Sequence, residues 1–142
     1  MNPVKQNDLL FGLSQEEIIK HKLEEKFGTL TKLDKYNNFD FYNDKYFIEV
    51  KSRRIKHDRY DTIYFDEIKL KKAKEIIKNG YEVFFIFNCS DGIWCWEFKD
   101  KKMYENEYFV AMGGRWDRGK EEVARLVNVK TEYLELLETK NI

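Results

Sequence analysis

Phe39-Asp40-Phe41-Tyr42-Asn43-Asp44-Lys45-Tyr46-Phe47-Ile48-Glu49-Val50-Lys51 reads as a tight β-hairpin. Phe39 to Tyr42 forms one arm, Asn43-Asp44 the turn and Lys45 to Lys51 the other arm. Side chains alternate along a strand, so Phe47, Glu49 and Lys51 share one face, and Tyr46, Ile48 and Val50 share the other. With an even-numbered loop, Asp40 stands opposite Phe47 and diagonal to Glu49, while Phe39 and Phe41 join the face of Tyr46 and Ile48. One face is then apolar and suits a core. The other gathers Asp40, Glu49 and Lys51. Cβ atoms of diagonal neighbours lie roughly 7–8 Å apart, a gap that two carboxylates can close around a divalent cation. An odd loop would split the set. A solvated hairpin face with a cross-strand ion pair, worth roughly 0.2–1 kcal/mol, accounts for the same residues without any chemistry.

The pattern is an Asp, eight residues, then Glu-Val-Lys. It resembles the PD-(D/E)XK nuclease superfamily, of restriction-endonuclease-like fold. The resemblance implies that Asp40 and Glu49 hold Mg2+ or Mn2+ and that Lys51 orients or polarises the attacking water. It implies an α/β fold with a central mixed β-sheet flanked by helices. The expected order is an α-β-β-β-α-β-β core followed by a C-terminal strand and helix. It covers roughly Gln15 to Phe98, and Phe39 stands where the superfamily's name has Pro. Glu-x-Lys is a short motif in a chain with 37% charged residues, so the surrounding elements must carry part of the weight.

At 142 residues the chain has room for one domain with a single core. Hydrophobic residues make up 42% and aromatics 16%, a globular rather than a disordered composition. Lys plus Arg equals Asp plus Glu, at 26 each, which argues against a protein that simply coats nucleic acid but leaves room for local patches. The apolar runs fall short of a membrane span, and the N-terminus lacks a charged region followed by an apolar one. An intracellular, cytoplasmic location away from membranes is the expectation. Cys89 and Cys95 lack metal-ligand spacing and read as packed thiols in a reducing compartment.

Residues 1–13 read as a loose lead-in. Ser14 to Glu17 fits a capping box opening a helix, with Ile19, Leu23 and Phe27 as its apolar stripe and Gly28 as its stop. Glu16 precedes Ile19 by three and Leu23 by seven, which puts a carboxylate on the core-facing side. In the superfamily the helix before the hairpin often supplies a Glu with this spacing, so Glu16 joins the candidate catalytic set. Glu17 is the alternative, and a first-turn Glu that merely favours the helix dipole is the plain reading. Leu30 to Tyr36 suggests a first strand.

Past Lys51 comes a basic run: Arg53, Arg54, Lys56 and Arg59, with His57 among them. Beside Glu-Val-Lys it suits phosphate contacts; alone it would be a solvated loop. Asp66 or a neighbour caps a second helix to about Asn79, with Gly80 beyond it and Ile68, Ala73, Ile76 and Ile77 on its buried side. The superfamily commonly turns a Lys or Gln of this helix toward the site. Lys69 is the candidate, with Lys72 as the alternative. Tyr81 to Phe87 is a near-continuous apolar run, expected in mid-sheet with both faces covered. Ile93 to Phe98, Tyr108 to Met112 and Leu126 to Val129 read as further strands. The loop 113–120 carries Arg115, Arg118 and Lys120 for phosphates and Trp116 for a base. Thr131 is expected to cap a C-terminal helix burying Tyr133, Leu134 and Leu137.

Three functions fit these features. The first is a metal-dependent endonuclease hydrolysing DNA phosphodiesters, with Holliday junctions, nicks and flaps among the structures it would recognise; a homodimer would supply the second site that duplex cleavage needs. The second is a non-catalytic nucleic-acid-binding module on the same fold. The third is an interaction protein whose hairpin carboxylates are surface charge. Intact Asp40, Glu49 and Lys51 separate the first from the second, and metal binding separates both from the third. DNA against RNA is open at this level.

Overall fold

The computed structural model describes residues 3–34, 37, 39–114 and 123–140. Contacts along the chain divide it into two compact units, residues 1–31 and 32–142.

The first unit is built on α1, Pro3–Phe27. The helix therefore runs through the stretch expected to be a lead-in, and Ser14 to Glu17 lies inside it rather than capping it. Pro3 at the first helical position suits the fixed φ of proline, and Gly12 costs only about 1 kcal/mol within a helix. Ile19, Leu23 and Phe27 are buried, as their spacing requires. Gly28 ends the helix at φ 82°, its N–H donating to the Glu24 carbonyl at 2.9 Å. The Glu24 carboxylate then accepts from the Leu30 N–H at 2.8 Å, which turns the chain out of the helix.

After α1 the strands are β1 (Thr31–Lys32), β2 (Phe41–Tyr42), β3 (Tyr46–Ser52), β4 (Thr62–Asp66), β5 (Glu82–Cys89), β6 (Gly92–Phe98), β7 (Tyr108–Gly114), β8 (Val123–Lys130) and β9 (Glu135–Thr139), with α2 at Glu67–Lys78. A six-stranded mixed sheet has the order β1-β2-β3-β5-β6-β9, and a three-stranded sheet the order β4-β8-β7. β3 and β5 pair in parallel from Tyr46↔Glu82 to Ser52↔Asn88. β2–β3, β5–β6 and β6–β9 are antiparallel. This is the restriction-endonuclease-like class that the sequence suggests.

A parallel pair needs a long crossover. Here it consists of the basic loop, β4 and α2. Asp66 caps α2, accepting from the Ile68 N–H at 2.9 Å, and Gly80 past its end takes φ 95°. Leu70 and Ala73 are buried and Ile76 and Ile77 partly so, whereas Ile68, expected inside, is exposed. The core fills the space between α2, the small sheet and one face of the large sheet. Phe65 of β4 stacks on Phe85 of β5 with ring centroids 4.1 Å apart and planes at 15°. Trp96 tilts against both, at 6.2 and 5.8 Å. Val127 and Val129 of β8 close the cluster. On the opposite face of the large sheet Phe41, Ile48 and Ile86 are also buried, so β5 is covered on both sides as its apolar run predicts. Both cysteines are free and buried, and burial pushes the Cys89 thiol up to about 11.

Two parts of the second unit depart from the sequence reading. β4 lies in a stretch to which the sequence reading assigns no element; its alternation leaves Ile63 and Phe65 buried and Tyr64 outside. The expected C-terminal helix is replaced by a 3-10 turn, Thr131–Tyr133, and by β9, which joins the edge of β6. No Thr131 cap forms, and backbone pairing at the open edge of β6 overrides the local helical tendency. The approach is close: a Cβ on Gly92 would stand 2.6 Å from the Glu138 carbonyl oxygen.

Replacing Phe65 by Ala is expected to destabilise the protein by about 3–5 kcal/mol, because it removes the ring that joins β4 to the large sheet. Urea unfolding followed by tryptophan fluorescence reads the change.

Candidate active site

The hairpin keeps the expected parity but not the expected register. Phe41 pairs with Ile48 and Tyr42 with Phe47. The Asn43 N–H donates to the Tyr46 carbonyl at 3.0 Å, so the turn centres on Asp44-Lys45, one residue later than the sequence suggests. The Asn43 side chain sets this turn, its Oδ1 accepting from the N–H of Lys45 at 2.9 Å and of Tyr46 at 2.8 Å. Moving an even turn by one residue shifts the register by two. The paired register ends at Phe41↔Ile48, and Asp40 stands just beyond it, where its charge acts on the Glu49 carboxyl. The Asp40 N–H donates to the Ile48 carbonyl at 3.0 Å, and its Oδ2 accepts from the Val50 N–H at 2.7 Å, which fixes the plane of the carboxylate. Phe39 lies before the paired arm and does not follow its alternation. Its ring packs on Phe47 at 6.2 Å and on Phe85 at 5.9 Å, not with Phe41.

Glu49 is the one charged residue buried among the described residues, with 4% of its surface exposed. Its Oε1 lies 3.3 Å from the Lys51 Nζ, and its Oε2 lies 3.4 Å from the Lys69 Nζ. β3 presents Glu49 to the face that α2 covers, and Lys69 reaches it from the first turn of that helix. A cation in a first turn opposes the helix dipole, so Lys69 needs the carboxylate in front of it. Burial pushes the Glu49 carboxyl above its ordinary value of 4.5, and the Asp40 charge pushes the same way; Lys51 and Lys69 pull it back without cancelling the rise. A carboxyl raised on folding adds stability below its unfolded pKa, and this is lost as pH rises through the folded one. The site therefore works against the stability of the fold at neutral pH.

The structure thus brings Asp40, Glu49, Lys51 and Lys69 together. Lys72, the alternative to Lys69, instead lies 3.8 Å from Glu75 on the same helix. Glu16 and Glu17 are exposed on α1, so Glu16 does not share the burial of Ile19. Arg54, Lys56 and Arg59 are exposed beyond Lys51. Arg53 is tied in: its guanidinium donates to the Tyr64 carbonyl at 2.8 Å and lies 5.4 Å from the Tyr64 ring centre. The alternation of Thr62 to Phe65 was the signal for that strand, and the sequence reading passed over it. Arg115, Trp116, Arg118 and Lys120 lie outside the described residues.

His57 belongs to another cluster rather than to the basic patch. Ligand atoms of His57, Asp58 and Asp91 lie within 4.8 Å of one another. The Asp91 carboxylate accepts from the His57 N–H at 3.0 Å and the Trp94 Nε1 at 3.3 Å, and its Oδ2 lies 2.5 Å from the His57 Nδ1. The imidazole stacks on Trp94 with centroids 3.5 Å apart. Burial raises the Asp91 carboxyl, but the hydrogen bonds from His57 outweigh it and leave the group below the usual range. These contacts clasp the basic loop to the β5–β6 turn.

Asp40, Glu49 and the Lys two residues on, set on a hairpin of a mixed sheet beside a helix-borne Lys, place the chain in the PD-(D/E)XK superfamily. The model of the family described as "Phage putative PDDEXK endonuclease" matches residues 11–135, and the chain belongs to that family. No curated protein and no solved structure matches it.

The Glu49 carboxyl has opposite responses to its two kinds of neighbour. Lys69→Met is expected to raise its pKa further and Asp40→Asn to lower it. Carbon-13 NMR titration of the Glu49 carboxyl measures both; a shift of the same sign in the two variants would contradict this electrostatic account.

Proposed function

We propose that the protein is an endonuclease that hydrolyses DNA phosphodiester bonds with Mg2+ or Mn2+ held by Asp40 and Glu49. The observation that carries this reading is Glu49: a buried carboxylate, within reach of the charge of a second carboxylate and bracketed by two ammonium groups. A fold seeking only stability gains little from such a residue, since burying a charge costs several kcal/mol before its partners offset it. The donor set fits the ion, because carboxylate oxygens suit hard divalent cations. The formal charges of Asp40, Glu49, Lys51 and Lys69 sum to zero, so these residues alone would hold the ion weakly and an anionic phosphate would strengthen its binding. When bound, the ion lowers the pKa of a coordinated water and offsets charge on the phosphate.

The chain's own groups divide the remaining work. Asp40 is held rigid by the Val50 N–H, and Glu49 is positioned by Lys69. Lys51, the more exposed of the two lysines, stands where it orients the attacking water and faces the negative charge that develops on the phosphate. Lys69 draws the Glu49 carboxyl back down against the rise that burial causes. By the superfamily pattern, Glu16 is a further candidate for the catalytic set. Arg53, Arg54, Lys56 and Arg59 anchor the backbone on one side, and Arg115 and Arg118 add phosphate contacts. The two units act as one nuclease domain, and a homodimer provides for both strands of a duplex. Among the described residues no helix is long and apolar enough to cross a membrane.

In calorimetry, Mg2+ or Mn2+ is expected to bind measurably with DNA present and more weakly without it, and Asp40→Asn with Glu49→Gln is expected to abolish binding in both cases. An ion bound equally by that double variant would move the metal away from these carboxylates.

Cleavage of labelled duplex, nicked, flapped and four-way DNA tests the activity. Lys51→Ala is expected to lose on the order of 10²-fold or more in rate, as other transition-state donors do, with DNA affinity little changed. Equal rates would remove Lys51 from the mechanism. A parent protein that binds these DNAs but cuts none would be the non-catalytic module on this fold.

A further inference from the structure

The small sheet turns one face to the core and the other to solvent, and the solvent face carries aromatic rings that the fold does not use. Tyr64 of β4 pairs with Asn128 of β8, and Phe109 of β7 pairs with the same Asn128. The three residues form one row across the sheet, and directly opposite residues share a face. Tyr64 is 48% exposed and Phe109 47%. Strands lie about 4.8 Å apart, so the two rings stand about 10 Å from each other with one polar side chain between them. Asn128 is occupied by its own sheet, accepting from the Thr62 hydroxyl at 3.3 Å and donating to the Leu126 carbonyl at 3.1 Å. It spaces the rings and does not reach outward. A third ring, Tyr60, is 64% exposed beside them and shares with Arg53 and Tyr64 a cleft of about 220 Å³.

Two of these rings have a guanidinium over them: Arg53 lies 5.4 Å from the centre of Tyr64 and Arg59 lies 5.9 Å from that of Tyr60. Arg53 follows Lys51 by two residues, so the row begins where the strand bearing the candidate site ends. Asp61, Lys130 and Glu132 line a second cleft with Phe109, and Thr62 lines both clefts. The two guanidinium groups over the rings are the groups placed to meet a phosphate backbone.

We propose that the outer face of β4-β8-β7 is a stacking platform for unpaired bases of a nucleic-acid strand, with Tyr64 and Phe109 as the stacking rings and Arg53 and Arg59 as the phosphate contacts. This rests on the reading of the protein as acting on DNA and deepens it: the substrate has a single-stranded segment next to the scissile bond. Every base offers a π-face, so stacking on these rings is tolerant of sequence. A second copy of this chain is the competing occupant, and the sedimentation arm of the test below separates the two.

The test uses the full chain and single-stranded oligonucleotides carrying 2-aminopurine, whose fluorescence falls when it stacks, in buffer without divalent metal. Tyr64→Leu and Phe109→Leu keep the apolar surface and lose the aromatic plane; each is expected to bind about tenfold more weakly, the scale of a lost base–aromatic stack, and to restore part of the fluorescence. Tyr64→Phe is expected to bind as the parent does. Unchanged affinity and fluorescence in both leucine variants overturn the platform. So does sedimentation showing that these variants dissociate a dimer while oligonucleotide affinity stays the same. The outcome is independent of cleavage: a parent that quenches the probe but cuts no DNA keeps the platform and loses the nuclease, and a parent that cuts but leaves the probe bright does the reverse.

Discussion

The parallel register between β3 and β5 is the constraint from which the rest of the second unit follows. Two parallel neighbours cannot be joined by a turn, so everything between Ser52 and Glu82 must travel over one face of the sheet. That path supplies α2, which covers the face bearing Glu49, and it supplies β4, whose Phe65 lies flat on Phe85. The same crossover carries Lys69 to Glu49. Core and site therefore share one origin: the helix that shields Phe85 from water also desolvates the carboxylate one strand away, in register with it.

The part of this arrangement that the sequence displays is governed by short-range rules. Alternation along Tyr46 to Lys51 puts Glu49 and Lys51 on one face whatever the rest of the chain does. The cap at Asp66 and the glycine after Asn79 frame α2, and Lys69, one turn ahead of Ala73, is then directed at the sheet. The hairpin register is less visible. Asn43-Asp44 has the composition of a two-residue turn, yet the Asn43 side chain satisfies two N–H groups ahead of it and moves the turn along by one. Parity survived that move, and Asp40 still stands where its charge acts on Glu49.

Elements decided by partners distant in sequence were not visible in the same way. The segment from Glu132 to Thr139 is rich in Leu and Glu and reads as a helix in isolation. The unpaired edge of β6 offers it a ladder of backbone hydrogen bonds, and it becomes β9. β4 is five residues long, between a basic loop and a helix cap, and takes meaning only from β8. Arg53 illustrates the consequence for function: a residue that reads as free to meet phosphate is also the bolt between the basic loop and the Tyr64 backbone.

The pairing of Thr62 with Lys130 has a consequence for the order in which the molecule is made. During synthesis β3, α2, β5 and β6 can assemble as soon as residue 98 has left the ribosome, but β4 then has an open hydrogen-bonding edge and its valine neighbours do not yet exist. The loop to be closed spans nearly seventy residues, and closure of long loops must be met before their contacts repay it. Nascent chains halted between β6 and β8 would carry a nearly complete site on an incompletely sealed core, so the chain's vulnerability to aggregation is concentrated in that interval of translation.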